Sequence, residues 1–254
     1  MVMRSKPSKK SRLDLLILEH KLANTRQKAQ ALIMAGQVLV NGRQASKPGT
    51  LFPYDSHIVL KASPQYVGRG GFKLAHALRV FSVDPTGLTT LDVGSSTGGF
   101  TDCLIQHGAS RVYAVDVGRA QLHDRLRKDS KVVVMEGINA HYPFTLPGPV
   151  SLAVMDVAFI SIVKVIPSVV THLTPGGMIL ALIKPQFEAR REEIGRKGIV
   201  KDPTVHARVI GRIANWSVNY GLRILNLTSS PIRGAGGNRE FFISLQKNDG
   251  NPYS

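Results

Sequence analysis

Hydrophobic positions along the chain change their spacing once, which predicts a small mixed segment followed by a larger α/β domain. Between residues 11 and 61, apolar residues recur twice at helical spacing and then fall in short strands around Asn41-Gly42. An Asn-Gly pair between apolar runs is the strongest short-range signal for a hairpin. From Phe72 onward, short apolar runs alternate with amphipathic helical stretches, a pattern typical of a doubly wound sheet.

The larger segment is therefore predicted to form a Rossmann-like sheet that is mostly parallel. Its last strand is expected to be antiparallel, because a tight loop joins the two closing strands. The predicted elements are helices over 72–81, 99–107, 121–128, 160–173 and 203–220, and strands near 91–93, 112–115, 132–135, 151–157, 178–183, 222–228 and 240–245. The charged stretch 186–202 is predicted to be a mobile loop beside the ligand crevice.

Composition places the boundaries between these segments. Residues 1–10 are basic and polar and are predicted to be a disordered arm. Residues 62–71, ASPQYVGRGG, contain proline and glycine and few hydrophobic residues, which is typical of a linker. We therefore expect a small α+β domain over 11–61, a larger domain over 72–247 and a tail over 248–254.

Charge is distributed unevenly. The net charge is +16, and residues 1–50 hold ten Lys or Arg against Asp14 and Glu19, so that 10 − 2 = +8 falls in a fifth of the chain. Such asymmetry favours a polyanion, most simply RNA, although a protein that merely happens to be basic is the alternative. The candidate RNA-binding residues are Arg12, Arg26, Lys28, Arg43, Lys47 and Arg69.

Other classes of protein are disfavoured by the same composition. Cys103 is the only cysteine, so neither an internal disulfide nor a cysteine metal cluster is expected, and no metal site is predicted. No secretory signal is recognisable at the start, and no apolar run of about 18 residues is free of charges. We expect a cytoplasmic protein without stable membrane association.

The stretch from Thr90 to Asp116 carries the clearest chemistry. It is predicted to be strand, glycine loop, helix and strand, with Asp116 placed to accept hydrogen bonds from the hydroxyls of a ribose. The G-x-G-x-x-G that cradles a pyrophosphate is absent, and Asp92 would repel phosphates but suit a cationic amine. A ligand with a ribose, an amine and no phosphate is S-adenosylmethionine. The candidate cofactor-binding residues are Asp92, Gly94, Ser95, Ser96, Gly98, Gly99, Phe100, Asp116, Asn139 and Asp156.

Asn139 is the least specific of these candidates. It follows the third predicted strand, at the edge where an adenine would lie. Asn is also common in turns, and from the residue alone a simple turn role is equally probable.

Four charged residues are expected to meet at one edge of the sheet. Asp156 and Lys184 follow the fourth and fifth strands, and Glu240 begins the antiparallel last strand, so all three reach the same edge. Lys73 lies in the first turn of a helix, where a cation is unfavourable for the dipole. Each residue alone would more often be a surface charge, but together beside a cofactor loop they indicate a catalytic set.

Two stretches resemble known families. The segment RLDLLILEHKLANTRQKAQALIMAGQVLVNGRQASKPG resembles the S4 RNA-binding domain, which implies binding to structured RNA. Arg12, Arg26 and Lys28 match the basic positions of that domain, although ordinary solvated charges on paired helices are the alternative.

The whole chain resembles the TlyA family, whose catalytic domain is of the FtsJ type. The motifs are YVGRGGFKL, LDVGSSTGGFTD, YAVDVGRAQL, MDVAFISI, LIKPQFE, KGIVKD and SPIRGAGGNREFF. The resemblance implies S-adenosylmethionine-dependent methylation of cytidine 2′-hydroxyls in ribosomal RNA, on free RNA or assembled ribosomal subunits. Members were earlier labelled haemolysins. The Lys-Asp-Lys-Glu tetrad of the FtsJ type falls on Lys73, Asp156, Lys184 and Glu240, and Ala158 replaces a usual Ser.

The resemblance and the residue chemistry agree on Lys184 as the group that accepts the proton of the 2′-hydroxyl. Lys184 can do so only while uncharged, which Lys73 would favour and Asp156 would oppose. Two alternatives remain: a membrane-active haemolysin, and an RNA base methyltransferase. The second is disfavoured because Cys103 lies away from the fourth-strand motif and MDVAF lacks the usual Pro-Pro pair. The target nucleotide and the oligomeric state stay open.

Overall fold

Two short amphipathic helices pack on small antiparallel sheets to form the first unit of the chain, residues 1–65. Its elements are β1 (Lys10–Arg12), α1 (Leu13–Glu19), α2 (Arg26–Met34), β2 (Val38–Val40), β3 (Arg43–Gln44), β4 (Leu51–Pro53) and β5 (Ile58–Leu60). The sheets have the orders β3-β2-β5 and β1-β4. The side chain of Thr25 accepts a hydrogen bond from the Lys28 amide and caps α2.

The computed structural model describes residues 9–61, 65–234 and 236–248. Most of the predicted basic arm, residues 62–64 of the predicted linker and residues 249–254 of the predicted tail lie outside the described residues. Lys10, which was assigned to the arm, pairs with Pro53 between β1 and β4. The predicted hairpin is confirmed, because Val40 pairs with Arg43 across Asn41-Gly42.

The second unit, residues 66–254, is a seven-stranded sheet flanked by helices. Its strands are β6 (Thr89–Val93), β7 (Arg111–Asp116), β8 (Val132–Glu136), β9 (Val150–Met155), β10 (Leu173–Ile183), β11 (Leu222–Ser229) and β12 (Phe241–Lys247). Its helices are α3 (Arg69–Phe81), α4 (Gly99–Gln106), α5 (Asp124–Arg127), α6 (Ile166–Val170), α7 (Pro185–Glu188) and α8 (Pro203–Asn219). The strand order is β11-β12-β10-β9-β6-β7-β8, and β12 is antiparallel to both neighbours.

The two faces of this sheet are covered by different helices. Alternate residues of β10 divide between the faces: Ile179, Ala181 and Ile183 join the cluster that includes α6 and α8, and Leu180 and Leu182 join the cluster with α3 and α4. Successive side chains of a strand point to opposite faces, which explains why a run apolar throughout is required here. The predicted fold class, a mostly parallel Rossmann-like sheet with an antiparallel last strand, is confirmed.

Several predicted boundaries are wrong. Helix α3 begins at Arg69, so the last three residues of the predicted linker are helical. The predicted helix 160–173 is instead a 3₁₀ turn at Ile162–Lys164 followed by α6. This stretch is rich in β-branched residues, which are stiff at χ1 and poor at propagating a helix.

Further differences lie in the connections. Helix α5 covers only four of the eight residues predicted, and β10 starts five residues early, with a register shift around Pro175 to Gly177. The segment predicted as a mobile loop contains α7 and two 3₁₀ turns, Arg191–Glu193 and Arg196–Gly198. Two of these connections, the stretch before α5 and the segment around α7, are held by contacts of Glu136 and Glu188 that are described below.

Candidate active site

The register of the sheet brings the predicted catalytic residues to one edge. Met155, the last residue of β9, pairs with Ala181 of β10, and Ile183 pairs with Phe241 of the antiparallel β12. Asp156 and Lys184 therefore follow their strands at the edge where Glu240 precedes its own.

The four residues form two ion pairs. Nζ of Lys184 lies 2.6 Å from Oδ1 of Asp156, and Nζ of Lys73 lies 2.6 Å from Oε2 of Glu240. The second pair is almost enclosed, with 8% of the Lys73 side chain and 2% of the Glu240 side chain exposed. The Lys184–Asp156 pair is more accessible, which leaves that lysine open to a substrate at the sheet edge.

The loop after β6 is shaped by glycine. Gly94 has φ +81°, and a Cβ there would lie 2.8 Å from the carbonyl oxygen of Asp156. Gly98 has φ +97°, and its Cβ would clash with Leu122 and Leu126. Both positions need the left-handed backbone that glycine adopts without strain, and they bring the loop close to the catalytic edge.

Helix α3, which carries Lys73, contacts this same loop through glycine. A Cβ at Gly99 would lie 3.0 Å from the amide nitrogen of Gly71 and 3.2 Å from Cα of Gly70. The backbones thus touch directly, and the close approach fixes the first turn of α3 against the start of α4. The sequence motif GRGGFK is explained by this contact.

Asp116 ends β7 and has its carboxylate anchored by the main chain. Oδ2 accepts a hydrogen bond of 2.7 Å from the Ser96 amide, and Oδ1 accepts one of 2.7 Å from the Gly118 amide. Each carboxylate oxygen can accept a further bond, so the group keeps capacity for a ribose hydroxyl. Ser95 is buried, and its amide donates to the carbonyl of Val115.

Asp92 lies on β6 with no exposed surface. Its Oδ2 accepts a hydrogen bond of 2.6 Å from the Thr101 hydroxyl, and Oδ1 has no hydrogen-bond partner within the described part of the chain. Burial, together with the nearby carboxylates of Asp156 and Asp116, raises the pKa of Asp92 to about 7. A buried carboxylate oxygen without a partner is costly unless a ligand or a proton satisfies it.

Two of the predicted cofactor residues have other roles in the structure. Phe100 is 3% exposed and its ring stacks on Phe242 with centroids 6.0 Å apart, so it belongs to the core between α4 and the sheet. Helix α4 turns this residue toward the sheet rather than toward the crevice. Asn139 is exposed, and its side-chain oxygen accepts a hydrogen bond from the His141 amide, which is the turn role considered as the alternative.

Three acceptors and one aromatic residue were missed by the sequence reasoning. Glu136 forms an ion pair with Arg127 and accepts hydrogen bonds from the amides of residues 120–122. These contacts lower the pKa of its carboxyl to about 2. It holds the loop that follows Asp116. Its position at the end of β8, in line with Asp116 in the sheet register, is the signal that could have found it.

Glu188 ties two segments of the site together. Its carboxylate accepts hydrogen bonds of 2.7 Å from the Ser161 hydroxyl and 2.8 Å from the Ile162 amide, and it pairs with Arg212 of α8. Burial raises the pKa of Glu188 despite these partners. The segment after Asp156 is thereby joined to the segment after Lys184.

Phe159 is exposed three residues after Asp156 and contacts Phe187. It is 91% exposed, its φ is 64°, and its ring centroid lies 5.0 Å from that of Phe187. Nζ of Lys184 lies 5.9 Å from the centroid of the Phe187 ring. A bulky residue with positive φ is a genuine outlier, and the strain marks this position as one held by the surrounding structure.

In the first unit, Asp14 holds two of the basic residues, and it is the third acceptor that the sequence reasoning missed. Asp14 is fully buried, and its carboxylate binds the guanidinium groups of Arg12 and Arg26 and the amide of Gln30. The Arg12 hydrogen bonds hold the pKa of Asp14 well below its ordinary value, against the opposing effect of burial. The other predicted RNA-binding residues, Lys28, Arg43 and Lys47, are exposed in this unit, and Arg69 is exposed at the start of α3.

In the described ranges, no group of three or more His, Cys, Asp or Glu side chains is arranged to hold a metal ion. The helices in those ranges are also too short or too polar to cross a lipid bilayer.

The fold and the strand-end acids define a Rossmann-like methyltransferase domain preceded by a small basic domain. An FtsJ-like methyltransferase model matches residues 66–247, and an S4 domain model matches residues 11–52. The chain belongs to the FtsJ-like methyltransferase family, in the TlyA group that joins such a domain to an S4 domain.

Similar proteins agree with this assignment. YqxC of Bacillus subtilis, named as a candidate rRNA methyltransferase, is 48% identical over 94% of this chain and 86% of its own length. TlyA of Mycobacterium tuberculosis, a 16S/23S rRNA (cytidine-2′-O)-methyltransferase, is 37% identical over 94% of this chain and 91% of its own. Hemolysin A of Brachyspira hyodysenteriae is 38% identical over 91% of this chain and 97% of its own length.

Solved structures show the same fold. A hemolysin candidate from Streptococcus thermophilus has a TM-score of 0.72 and 42% identity, covering 94% of this chain and 89% of that one. An S-adenosylmethionine-dependent methyltransferase from Mesorhizobium loti has a TM-score of 0.52 with 16% identity, covering 68% of this chain and 96% of that one. The second likeness concerns the fold alone.

Proposed function

We propose that this enzyme transfers a methyl group from S-adenosylmethionine to the 2′-hydroxyl of a cytidine in ribosomal RNA. The observation that carries the proposal is the pair of lysine–carboxylate contacts, Lys184–Asp156 and Lys73–Glu240, at the sheet edge beside the glycine loop. The names of the mycobacterial and other TlyA relatives support the choice of cytidine and of ribosomal RNA.

The residues at the end of β6 and β7 fit S-adenosylmethionine. The buried Oδ1 of Asp92 lacks a partner among the described residues, and a cationic amine would satisfy it. Gly94 lets the loop pass against the backbone of Asp156, and Asp116 would accept hydrogen bonds from the ribose hydroxyls. When bound, S-adenosylmethionine supplies an electrophilic methyl group on a sulfonium.

Lys184 would accept the proton of the 2′-hydroxyl. A ribose hydroxyl is a poor nucleophile, so alignment and removal of its proton together lower the barrier. The uncharged form of Lys184 would accept at Nζ the proton that the 2′-hydroxyl loses when its oxygen is methylated, and bound S-adenosylmethionine would supply the methyl group. Asp156, 2.6 Å away, would stabilise the resulting ammonium, and Glu240 would hold Lys73 in place.

We expect Lys184→Ala to abolish methyl transfer while binding of S-adenosylmethionine, measured by calorimetry, stays within about twofold of the wild type. Loss of a positioned acid–base group typically costs a factor of about 10² to 10⁴ in rate. Lys131→Ala is the matched control, because this exposed lysine precedes β8 at the opposite edge of the sheet. Comparable turnover by the Lys184 variant would contradict its assigned role.

Transfer of labelled methyl to ribosomal subunits from cells lacking the modification tests the reaction itself. After alkaline digestion, label in an alkali-resistant dinucleotide would place the methyl group on a ribose oxygen, because 2′-O-methylation blocks cleavage of the adjacent phosphodiester. Label on a free base would support S-adenosylmethionine as the cofactor but exclude the 2′-hydroxyl as the methyl acceptor. Absence of label on both subunits would contradict ribosomal RNA as substrate.

The S4 unit would supply much of the affinity for RNA. Its partly buried Arg12 and exposed Arg26 are held by the buried Asp14, which orders two guanidinium groups before any phosphate binds. A ribosomal substrate also implies a cytoplasmic location, which is part of the same proposal.

A further inference from the structure

Two adjoining cavities share Arg233 and Arg239, and the smaller of them is also lined by Glu240. The larger has a volume of about 420 Å³ and also includes Lys201 and His206 in its lining. The smaller, of about 220 Å³, is lined by residues 229–233 together with Arg239 and Glu240. We refer to Lys201, Arg233 and Arg239 as the cationic cleft.

The cationic cleft has no carboxylate in its larger cavity. Among the described residues, none of its three cations forms an ion pair, whereas Arg12, Arg26, Arg125, Arg127, Arg208 and Arg212 all do. Asp202 follows Lys201 in sequence, but its carboxylate accepts hydrogen bonds from the amide and hydroxyl of Thr204 and caps α8. Positive charge is therefore concentrated in the larger cavity, and Glu240, which lines the smaller one, is already paired with Lys73.

A buried amide fixes the framework of the cleft. Asn238 is 3% exposed, its Oδ1 accepts from the Val200 amide at 2.9 Å, and its Nδ2 donates to the Gly198 carbonyl at 2.9 Å. One side chain thereby joins the segment that carries Lys201 to the loop that carries Arg233 and Arg239. Because these two segments are ordered before a ligand binds, binding costs less conformational entropy.

The position of the cleft matches the chemistry of the substrate. In RNA, the carbon that bears the 2′-hydroxyl adjoins the carbon that bears the 3′-phosphate. A ribose whose 2′-oxygen lies at Lys184 therefore brings a phosphodiester close to the catalytic edge. Glu240 belongs to that edge and also lines the smaller cavity, so the smaller cavity adjoins the edge where this phosphate would lie.

We propose that the cationic cleft binds a backbone phosphate of the RNA substrate next to the target ribose. The inference rests on the proposed function and adds a second RNA contact, separate from the S4 unit, that orients the nucleotide for transfer. The planar guanidinium groups of Arg233 and Arg239 suit a phosphate because their N–H donors match two of its oxygens.

The test compares Arg233→Gln and Arg239→Gln with Arg223→Gln, an exposed arginine of β11 that lines neither cavity. Methyl transfer to ribosomal subunits lacking the modification is measured at several salt concentrations. For each cleft variant, we expect the KM for the subunits to rise about tenfold and the slope of log KM against log salt to flatten by about 0.7 to 0.9. The control variant should match the wild type in both quantities.

Binding of S-adenosylmethionine, measured by calorimetry, should not change in the cleft variants, and Arg239→Lys should recover part of the affinity because it keeps the charge. Unchanged KM and salt slope in both Gln variants, with an active wild type, would overturn the phosphate site. A loss of cofactor affinity would overturn it as well. An inactive wild type on both subunits would instead overturn the proposed function.

Discussion

Asp92 has no exposed surface, and burial raises the pKa of its carboxyl group to about 7. The folded protein therefore holds a proton on Asp92 at pH values where an unfolded chain, with a carboxyl pKa of about 4, has lost it. Stability from this group is complete below about pH 4 and is lost as the pH rises through about 7.

Asp92→Asn should remove this dependence. Asn cannot ionise, so the wild type should lose free energy of unfolding between about pH 5 and about pH 8 while the variant does not lose it through this group. The difference, variant minus wild type, should therefore increase with pH. Chemical denaturation at the two pH values measures the difference. Asp55→Asn, an exposed position in the first unit, is the control. A difference that does not change with pH would show that Asp92 is ionised throughout.

Phe159 combines 91% exposure with a left-handed backbone, which costs about 1 to 3 kcal/mol and is retained beside Lys184. We infer that its ring stacks on a base of the substrate. Phe159→Ala should raise the KM for RNA by roughly 5- to 100-fold, since stacking on an aromatic ring contributes about 1 to 3 kcal/mol per base. Phe159→Tyr keeps the ring and should keep activity. Equal KM values for the Ala variant and the wild type would refute stacking.

At the scale of elements, Glu188 joins the segment after β9 to α7 and α8. Glu188→Ala removes the acceptor of both the Ser161 hydroxyl and the Ile162 amide. We expect kcat to fall by at least about tenfold, because small displacements at a reacting centre are costly, while binding of S-adenosylmethionine is retained.

The neighbouring exposed acid offers a control for that experiment. Glu192→Gln should behave as the wild type, since this side chain is exposed in the 3₁₀ turn after α7. If Glu188→Ala changed only the thermal stability and left kcat intact, Glu188 would be a purely structural residue.

Strand ends were the most predictable part of the site. Asp156, Lys184 and Glu240 follow or precede apolar runs, and the rules of parallel and antiparallel pairing place such residues at one edge. The chain pattern does not state which lysine pairs with which acid, because that depends on where α3 lies. The position of the Phe100 ring was hard to predict for the same reason, since the rotation of α4 turns this ring into the core.

Connections between elements were harder to predict. The anchoring roles of Glu136 and Glu188 depend on contacts with residues 9 to 27 positions distant in the chain. Likewise, the turn role of Asn139 was an open alternative until the His141 contact was visible. Local propensity carries little information about such partners, which the tertiary fold selects.

At the scale of the whole molecule, the net charge of +16 governs encounters with polyanions. One relative is named Hemolysin A, so contact with lipid is a natural comparison. Leu13, Leu16 and Ile33 of α1 and α2 are fully buried in the core of their own unit and are not available to a bilayer, whereas Met34 at the end of α2 is 68% exposed.

We expect binding to vesicles of anionic lipid at low salt, release as salt is raised, and no leakage of an entrapped dye. Electrostatic attraction without inserted apolar surface predicts this result. Neutral vesicles are the control. Leakage that persists at high salt, and that is the same for Lys184→Ala, would reveal a lytic activity independent of methyl transfer.

In the ion-paired form that the structure shows, Lys184–Asp156 and Lys73–Glu240 contain two lysines and two carboxylates, so their formal charges cancel. Seen from a distance, this proposed catalytic centre exerts little electrostatic attraction on RNA. Capture of the substrate and its chemical conversion are therefore assigned to different sets of charges. Ionic strength can slow the arrival of RNA without altering turnover once RNA is bound, and each process can be adjusted by substitution without disturbing the other.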